Sequence, residues 1–360
     1  MTKEPEVRLT LPGKGALEAS TLSFLAECGM KVNRSNPRQY LARIASMPGL
    51  EVVFQRAADI PMLVSNGDAM LGITGYDILA EHLGYSDDEI GDGDHDDEII
   101  VLERNLGYGS CRLVVAVPET WIDVSTCADL WHLAGYYTTQ KGRGLRIATK
   151  YPTLTGQFLR RHGITHCKIV SPHGALEAAP LTDTADLIVD LTETGTTLRE
   201  NRLKLLDDGV VLRSQACLIA NAHLLAQHKQ ALSMAVMMLE SIDARMQARN
   251  RSLLTAHVQV ESPEQIQRIC QQLRSRIPGF EFRVATSDGS GSAERDRSVP
   301  YGCTISGVVR IGSTTSDLLD AVAVLRNVGA SHIDVTPLTY RFEKESARVR
   351  SLHERLKRLH

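Results

Sequence analysis

No CxxC pair occurs among the seven cysteines (Cys28, Cys111, Cys127, Cys167, Cys217, Cys270 and Cys303), which are odd in number and scattered. Their spacing therefore indicates neither a zinc site nor a disulfide framework. No apolar run is long enough to span a bilayer. The start, Met1-Thr-Lys-Glu-Pro-Glu, is polar with no apolar signal segment behind it, which predicts a cytoplasmic protein. Neither sign of charge is in excess: 40 Lys and Arg stand against 43 Asp and Glu, for a net charge of -3. That balance gives no global reason to bind nucleic acid or an anionic membrane, although it leaves room for a local basic pocket. Also missing are GxxxxGK[ST], a GxGxxG after a strand, a GxSxG elbow and HExxH, which argues against a Walker loop, a nicotinamide cofactor, a hydrolase serine and a zincin.

What is present is an ordinary soluble composition, 43% hydrophobic and 23% charged, and a length suited to two or three domains. Strand-like runs at Val7–Leu11, Leu50–Phe54 and Ala69–Thr74 alternate with helical spacing at Ala16–Cys28 and a helix opened by Asp59-Ile-Pro61. Such alternation predicts an α/β domain with a mostly parallel sheet. Residues 87–98 hold eight acids; Asp92, Asp94 and Asp96 mimic a calcium loop, but Asp97 stands where the sharp turn needs Gly, so the stretch reads as a solvated acidic loop. A second α/β unit starts at Cys111, with strands at Arg112–Pro118, Leu145–Thr149, Lys168–Ser171 and Asp186–Leu191. The last is apolar enough to predict a parallel strand buried on both faces. Residues 134–144 are expected to be an exposed loop, and 198–206 a helix. Gln227–Asn250 reads as one long helix, the order after it is βαββαβ, with a polar loop over 287–300, and the tail from Glu343 reads as a basic solvated helix.

The sharpest local signal is Ile188-Val-Asp190-Leu-Thr192-Glu193-Thr194-Gly195-Thr196-Thr197-Leu198. A buried strand ends in a Thr/Gly loop that opens a helix. Successive N–H groups there form an anion nest, the helix start adds positive charge, and Gly195 lets the backbone approach a phosphate. Asp190 and Glu193 at its mouth suit sugar hydroxyls or a hydrated Mg²⁺. The plainer reading is a capped turn in which the threonines satisfy only the helix start. The histidines, His162 and His166 among them, read as ordinary surface or core residues.

Gly174-Ala-Leu-Glu177-Ala-Ala-Pro followed by the 185–203 stretch resembles the signature of the ATP phosphoribosyltransferases, which catalyse the first committed step of histidine biosynthesis. Asp59-Ile-Pro, Leu71-Gly-Ile-Thr-Gly75, Cys111-Arg-Leu, Arg146-Ile-Ala-Thr-Lys-Tyr-Pro152 and Arg213-Ser-Gln-Ala-Cys-Leu-Ile219 agree in order. The resemblance spans roughly residues 8–342 and is strongest over 171–221. A segment after residue 250 makes it similar to the family's long form, with a third domain that binds histidine.

The resemblance implies a two-lobed, periplasmic-binding-protein-like catalytic part and a C-terminal ferredoxin-like domain. Residues 1–104 and 207–226 would form the first catalytic subdomain, 105–206 the second, 227–250 a connecting helix, 251–342 the regulatory domain and 343–360 a basic tail. It implies transfer of the phosphoribosyl group of 5-phosphoribosyl pyrophosphate to adenine N1 of ATP, with Mg²⁺, inhibition by L-histidine, and a homodimer that assembles to a homohexamer. Thr194, Gly195, Thr196, Thr197 and Leu198 would hold the 5′-phosphate and Asp190 the ribose hydroxyls, with Thr192, Glu193 and Glu177 also binding 5-phosphoribosyl pyrophosphate in the same neighbourhood. Lys14, Arg56 and Arg112 would meet ATP or pyrophosphate charges, the plainer reading of both arginines being structural ion pairs. One departure is Ala16, in the turn Pro12-Gly-Lys14-Gly-Ala16, where the family carries Arg. It keeps open a nucleotide-binding sensor without turnover.

Overall fold

A computed structural model describes residues 7–36, 38–84, 98–171, 174–277, 279–286, 301–311 and 316–358. Most of the acidic stretch, with Asp92, Asp94, Asp96 and Asp97, and the polar segment 287–300 lie outside these residues. The chain divides into two units, residues 1–239 with 347–360, and residues 240–346.

The first unit holds two sheets. One is built from β1 (Val7–Pro12), β2 (Val32–Asn33), β3 (Leu41–Ile44), β4 (Leu50–Gln55), β5 (Leu71–Gly75), β6 (Ile99–Glu103) and the later β12 (Ala216–Asn221), in the order β2-β3-β4-β1-β5-β12-β6. The central β4, β1 and β5 are parallel, while β12 runs antiparallel between β5 and β6. Helices α1 (Ala16–Glu27), α2 (Ile60–Ser65) and α3 (Tyr76–Leu83) connect them. Pro61 sits in the first turn of α2, where its missing N–H is harmless. The β2–β3 hairpin is too short to leave a periodic signal in the sequence.

The second sheet has the order β11-β7-β10-β8-β9, from β7 (Cys111–Pro118), β8 (Leu145–Thr149), β9 (Cys167–Val170), β10 (Leu187–Thr192) and β11 (Leu203–Ser214). Its helices are α4 (Cys127–Lys141), α5 (Pro152–Arg161) and α6 (Thr196–Glu200). β10 is parallel to β8, as expected of it, but antiparallel to β7. Its continuous apolar run reflects the burial on both faces that the sequence predicts. Leu187 and Val189 enter one core cluster while Ile188 enters a second, with Val114, Ala116 and Leu198.

Two expectations fail here. Residues 134–141 are helix, not loop: a capping box between Thr126 and Asp129 starts α4, and Ala134 and Tyr137 are buried. The hydroxyls of Thr138 and Thr139 donate back to the Ala134 and Gly135 carbonyls, and Gly142 at φ 66° ends the helix. The helix expected over 198–206 stops at Glu200, because Arg202 adopts φ 56° and Leu203 begins pairing with β7.

The chain crosses between sheets twice, over 104–110 and at Gln215. The crossings bond to each other, Leu106 N–H donating to the Ala216 carbonyl at 3.0 Å and Ala216 N–H to that of Tyr108 at 3.0 Å. Residues up to Ser214 therefore stay in the second sheet, and the return lies at 215, later than residue 207. After β12 come α7 (Ala222–Gln227) and α8 (Lys229–Ala248), interrupted at His228, which is extended. The single long helix expected over 227–250 is α8, and the short α7 precedes it. The division between units falls within α8.

The second unit is β13 (Arg251–Val260), α9 (Pro263–Arg276), β14 (Glu281–Thr286), β15 (Tyr301–Arg310), α10 (Ser316–Asn327) and β16 (Ala330–Pro337), a βαββαβ chain. Its antiparallel sheet has the order β14-β15-β13-β16, the ferredoxin-like arrangement. Leu254, Ala256, Val258 and Val260 on alternate positions of β13 pack against Ile269, Leu273, Ala321 and Leu325 of the helices. Two lobes plus this unit give the two-lobed α/β architecture with a ferredoxin-like addition that the sequence implies.

The tail is α11 (Ala347–Arg358), and it is not a solvated helix. Val349, Leu352 and Leu356 share one face and are buried, where α11 meets β6 and α7. Arg348 pairs with Glu103, and Arg355 donates to the Val101 carbonyl at 2.7 Å. α11 thus covers an edge strand whose unpaired backbone groups would otherwise be exposed. Among the described residues no helix is long and apolar enough to cross a membrane.

Candidate active site

Register sets which side chains share the rim of the second sheet. β10 ends opposite the start of β7, with Thr192 facing Arg112, and Arg112 faces Arg213 of β11 on its other side. β8 runs parallel to β10, so Lys150 and Tyr151 emerge at the same end. In the first sheet, β1 and β4 end in register at Pro12 and Gln55, and Gly13 N–H donates to the Gln55 carbonyl at 2.8 Å. Lys14 and Arg56, 42 positions apart in sequence, therefore leave neighbouring strand ends and are both exposed.

The 192–198 loop is closed by its own side chains. Buried Thr192 accepts the Gly195 N–H at 2.8 Å through Oγ1, and the Thr194 and Thr196 hydroxyls bond each other at 2.9 Å. Thr192 thus shapes the loop instead of facing outward. Gly195 caps α6 at φ 81°, a conformation that glycine adopts without strain. A Cβ there would meet only Leu205 Cδ1, at 3.9 Å. Backbone conformation favours glycine there, and the space a Cβ would enter is otherwise open among the described residues. Thr197 is exposed at the helix start, where first-turn N–H groups have no intrahelical acceptor. The Leu198 side chain is core, leaving its N–H as its contribution to the loop.

Asp190 is half-buried, and burial pushes its carboxyl above the usual range. A hydrogen bond from Leu191 N–H at 2.8 Å and the charge of Lys150 oppose that push, while nearby Glu177 reinforces it. Glu177 stands half-buried in a short turn over Leu176–Ala178; Glu193 is exposed. Among the described residues, no ion pair joins Lys14, Arg56 or Arg112 to a carboxylate, so the structural ion-pair reading of the two arginines finds no partner. Arg143 and Arg146, by contrast, are committed to Asp186. Three unpaired cations and a loop of N–H donors on two strand-end rims make an environment for a polyanion.

The rims are tied by residues that sequence reasoning missed. Asp77, 4% exposed at the start of α3, accepts the Ser214 hydroxyl through Oδ1 at 2.6 Å and the Tyr151 hydroxyl through Oδ2 at 2.6 Å. Its own N–H donates to Ser214 Oγ at 2.9 Å. Gly75 is obligatory beside it, since a Cβ would lie 2.6 Å from Asp77 Oδ1. Burial first, then the Asp77 charge and hydrogen bond, hold the Tyr151 phenol well above its ordinary pKa. Burial and Asp77 push the Cys111 thiol up to about 11, so it is no ready nucleophile. Asp77, Tyr151 and Ser214 come from separate elements, and no local pattern announces them.

Glu177, Asp190 and Glu193 offer the hard oxygen donors that Mg²⁺ prefers. They do not, however, converge into one of the two potential metal-holding groups found among the described residues. Such a donor set fits a cation held chiefly by substrate phosphates and water, with one or two carboxylates assisting.

A family profile described as "HisG: ATP phosphoribosyltransferase" matches residues 56–244. The chain is 32% identical to "ATP phosphoribosyltransferase 1, chloroplastic" of Arabidopsis thaliana, over 97% of this chain and 80% of that protein. It is 45% identical to the ATP phosphoribosyltransferase of Brucella melitensis over 59% of this chain and 89% of that protein. Among solved structures, the Thermotoga maritima "ATP phosphoribosyl transferase (HisG:HisZ) complex" aligns with 66% of this chain and 98% of its own, at 25% identity and a TM-score of 0.47.

Proposed function

Because the chain belongs to the ATP phosphoribosyltransferase family, the glycosyltransferases of histidine biosynthesis, we propose that it joins adenine N1 of ATP to C1 of 5-phosphoribosyl pyrophosphate. The N1–C1 bond forms, the C1–O bond to pyrophosphate breaks, and pyrophosphate leaves. The observation that carries this reading is the 192–198 loop, closed by Thr192 and held open to an anion by the αL turn at Gly195.

Adenine N1 has its own lone pair, so attack needs no strong base, consistent with the protonated Cys111 and Tyr151 of the rim. The work is positioning and charge stabilisation. The exposed Thr194, Thr196 and Thr197 hydroxyls and the N–H groups of Thr197 and Leu198 bind the 5′-phosphate. Asp190 accepts from the ribose hydroxyls, and Glu177 and Glu193 flank it. Arg112 lies beside the loop, where pyrophosphate charge develops, and Lys14 and Arg56 meet the triphosphate from the other lobe. Mg²⁺, when bound, neutralises the phosphates of the departing group.

The second unit is the histidine-responsive part in this reading, acting through a homodimer that assembles to a homohexamer. It is a complete fold with no catalytic motif of its own, and the plant relatives match over nearly the whole chain. A coupling of about 1–3 kcal/mol suffices for strong inhibition.

The test supplies ATP, 5-phosphoribosyl pyrophosphate and Mg²⁺ to the full chain and measures pyrophosphate release, product mass and histidine inhibition. A cut near Asn250 is unsuitable, because it removes α11 and uncovers β6. Stoichiometric pyrophosphate and an ATP adduct carrying a phosphoribosyl group are expected, with histidine-induced hydrogen-exchange protection within 251–337. Absence of turnover by folded protein contradicts the catalytic reading, and inhibition without protection there contradicts the regulatory one.

A further inference from the structure

Three potential ligands meet in the second lobe away from the loop, although cysteine spacing gives no hint of them. Cys127 is the first residue of α4, His162 closes α5, and Asp208 lies in the irregular stretch of β11 between Leu205 and Val210. Their Sγ, imidazole nitrogen and carboxylate oxygen lie within 4.8 Å of one another. We propose that Cys127, His162 and Asp208 bind a zinc-like divalent transition-metal ion, with a fourth position open to water.

The donor set is chemically suited to such an ion. Thiolate, imidazole and carboxylate together favour Zn²⁺ or Co²⁺ over the all-oxygen cations. Metal–sulfur and metal–nitrogen bonds of about 2.3 and 2.0–2.1 Å put tetrahedral donors roughly 3.5 Å apart, so a closure of about 1 Å completes the site.

Its parts are also held in place. Gly209 has no room for a side chain, because a Cβ would lie 2.8 Å from Leu206 Cβ, and this tight turn presents Asp208 to the start of α4. Asp208 Oδ1 accepts the Cys127 N–H at 2.8 Å, which leaves Oδ2 for a metal. The His162 ring lies 4.4 Å from that of Phe158. Cys127 is 2% exposed, whereas His162 and Asp208 are exposed and line a recess of about 340 Å³ that provides entry and the open coordination position.

A nucleophilic cysteine is the competing use of these groups. Burial and the Asp208 contacts push the Cys127 thiol up to about 12, which disfavours a free thiolate, whereas a bound metal displaces the proton outright. The plainer competing role is structural, with Asp208 merely pinning β11 to α4.

The test titrates Co²⁺ into metal-stripped full-length protein and follows its absorption spectrum. One equivalent should give intense tetrahedral d–d bands and a near-ultraviolet thiolate-to-cobalt band, both abolished by Zn²⁺. Cys127→Ser should remove the thiolate band, while Cys111→Ser should keep it. His162→Ala, at an exposed position that spares folding, should weaken binding by more than the roughly 10–100-fold expected for loss of even an outer partner. His257→Ala, in the other candidate group of His257, His332 and Asp334, should change nothing. The proposal is overturned by an absent thiolate band, by its survival in Cys127→Ser, or by binding that depends on His257 instead of His162.

Discussion

The 192–198 loop stands on one rim, the Asp77 clasp joins both, and the two are built in opposite ways. The loop is made by seven consecutive residues, with Thr192, Gly195 and the α6 start each bonded within it. The clasp joins residues 74 and 137 positions apart. A local device can bind one group by itself, whereas a long-range one fixes how two lobes stand. Phosphate capture and lobe geometry should therefore fail separately.

Breaking the clasp should have the larger effect. Asp77→Ala leaves the Tyr151 and Ser214 hydroxyls without their charged acceptor, and hydrogen bonds to charged groups contribute about 1.5–3 kcal/mol each. We expect roughly 3 kcal/mol lost in urea unfolding and a fall in kcat/KM for both substrates together. Normal stability in this variant would mean that the clasp does not hold the lobes.

Two carboxylates sharpen the contrast through opposite pH behaviour. Burial alone would raise Asp186, but hydrogen bonds from Arg143, Arg146 and the Arg146 N–H hold it well below the usual range. The folded state thus binds fewer protons there. Its stabilisation is full above about pH 4, the unfolded value, and is lost as pH falls below it. Asp186→Asn should remove roughly 2 kcal/mol at neutral pH and flatten the acid limb of the stability curve. Asp190 is raised instead, so its contribution is present below the unfolded value and lost as pH rises through the folded one. Asp190→Asn should stabilise slightly at neutral pH while lowering activity. Thermal melts of both variants from pH 3 to 8 decide this, and parallel curves would contradict it.

The same division explains what the sequence disclosed. The β10 run, the Thr/Gly loop and the βαββαβ order are local patterns and were legible. Asp77, Tyr151 and Ser214 carry no pattern because only sheet registry brings them together. Residues 134–141 read as loop because Gly, Tyr and Thr are weak helix formers, yet burial of Ala134 and Tyr137 outweighs propensity. The charge of the tail masks the apolar stripe of Val349, Leu352 and Leu356 that buries it.

The most direct measurement compares Gly195→Asn and Gly195→Val by steady-state kinetics for each substrate. Asparagine tolerates the αL conformation and valine does not; the strain costs about 1–2 kcal/mol. The valine variant should raise KM for 5-phosphoribosyl pyrophosphate by roughly a hundredfold, the loss of two charge-assisted hydrogen bonds. KM for ATP should hold, and asparagine should be near wild type. Unchanged KM for 5-phosphoribosyl pyrophosphate in a folded Gly195→Val protein would show that the loop is only a helix cap.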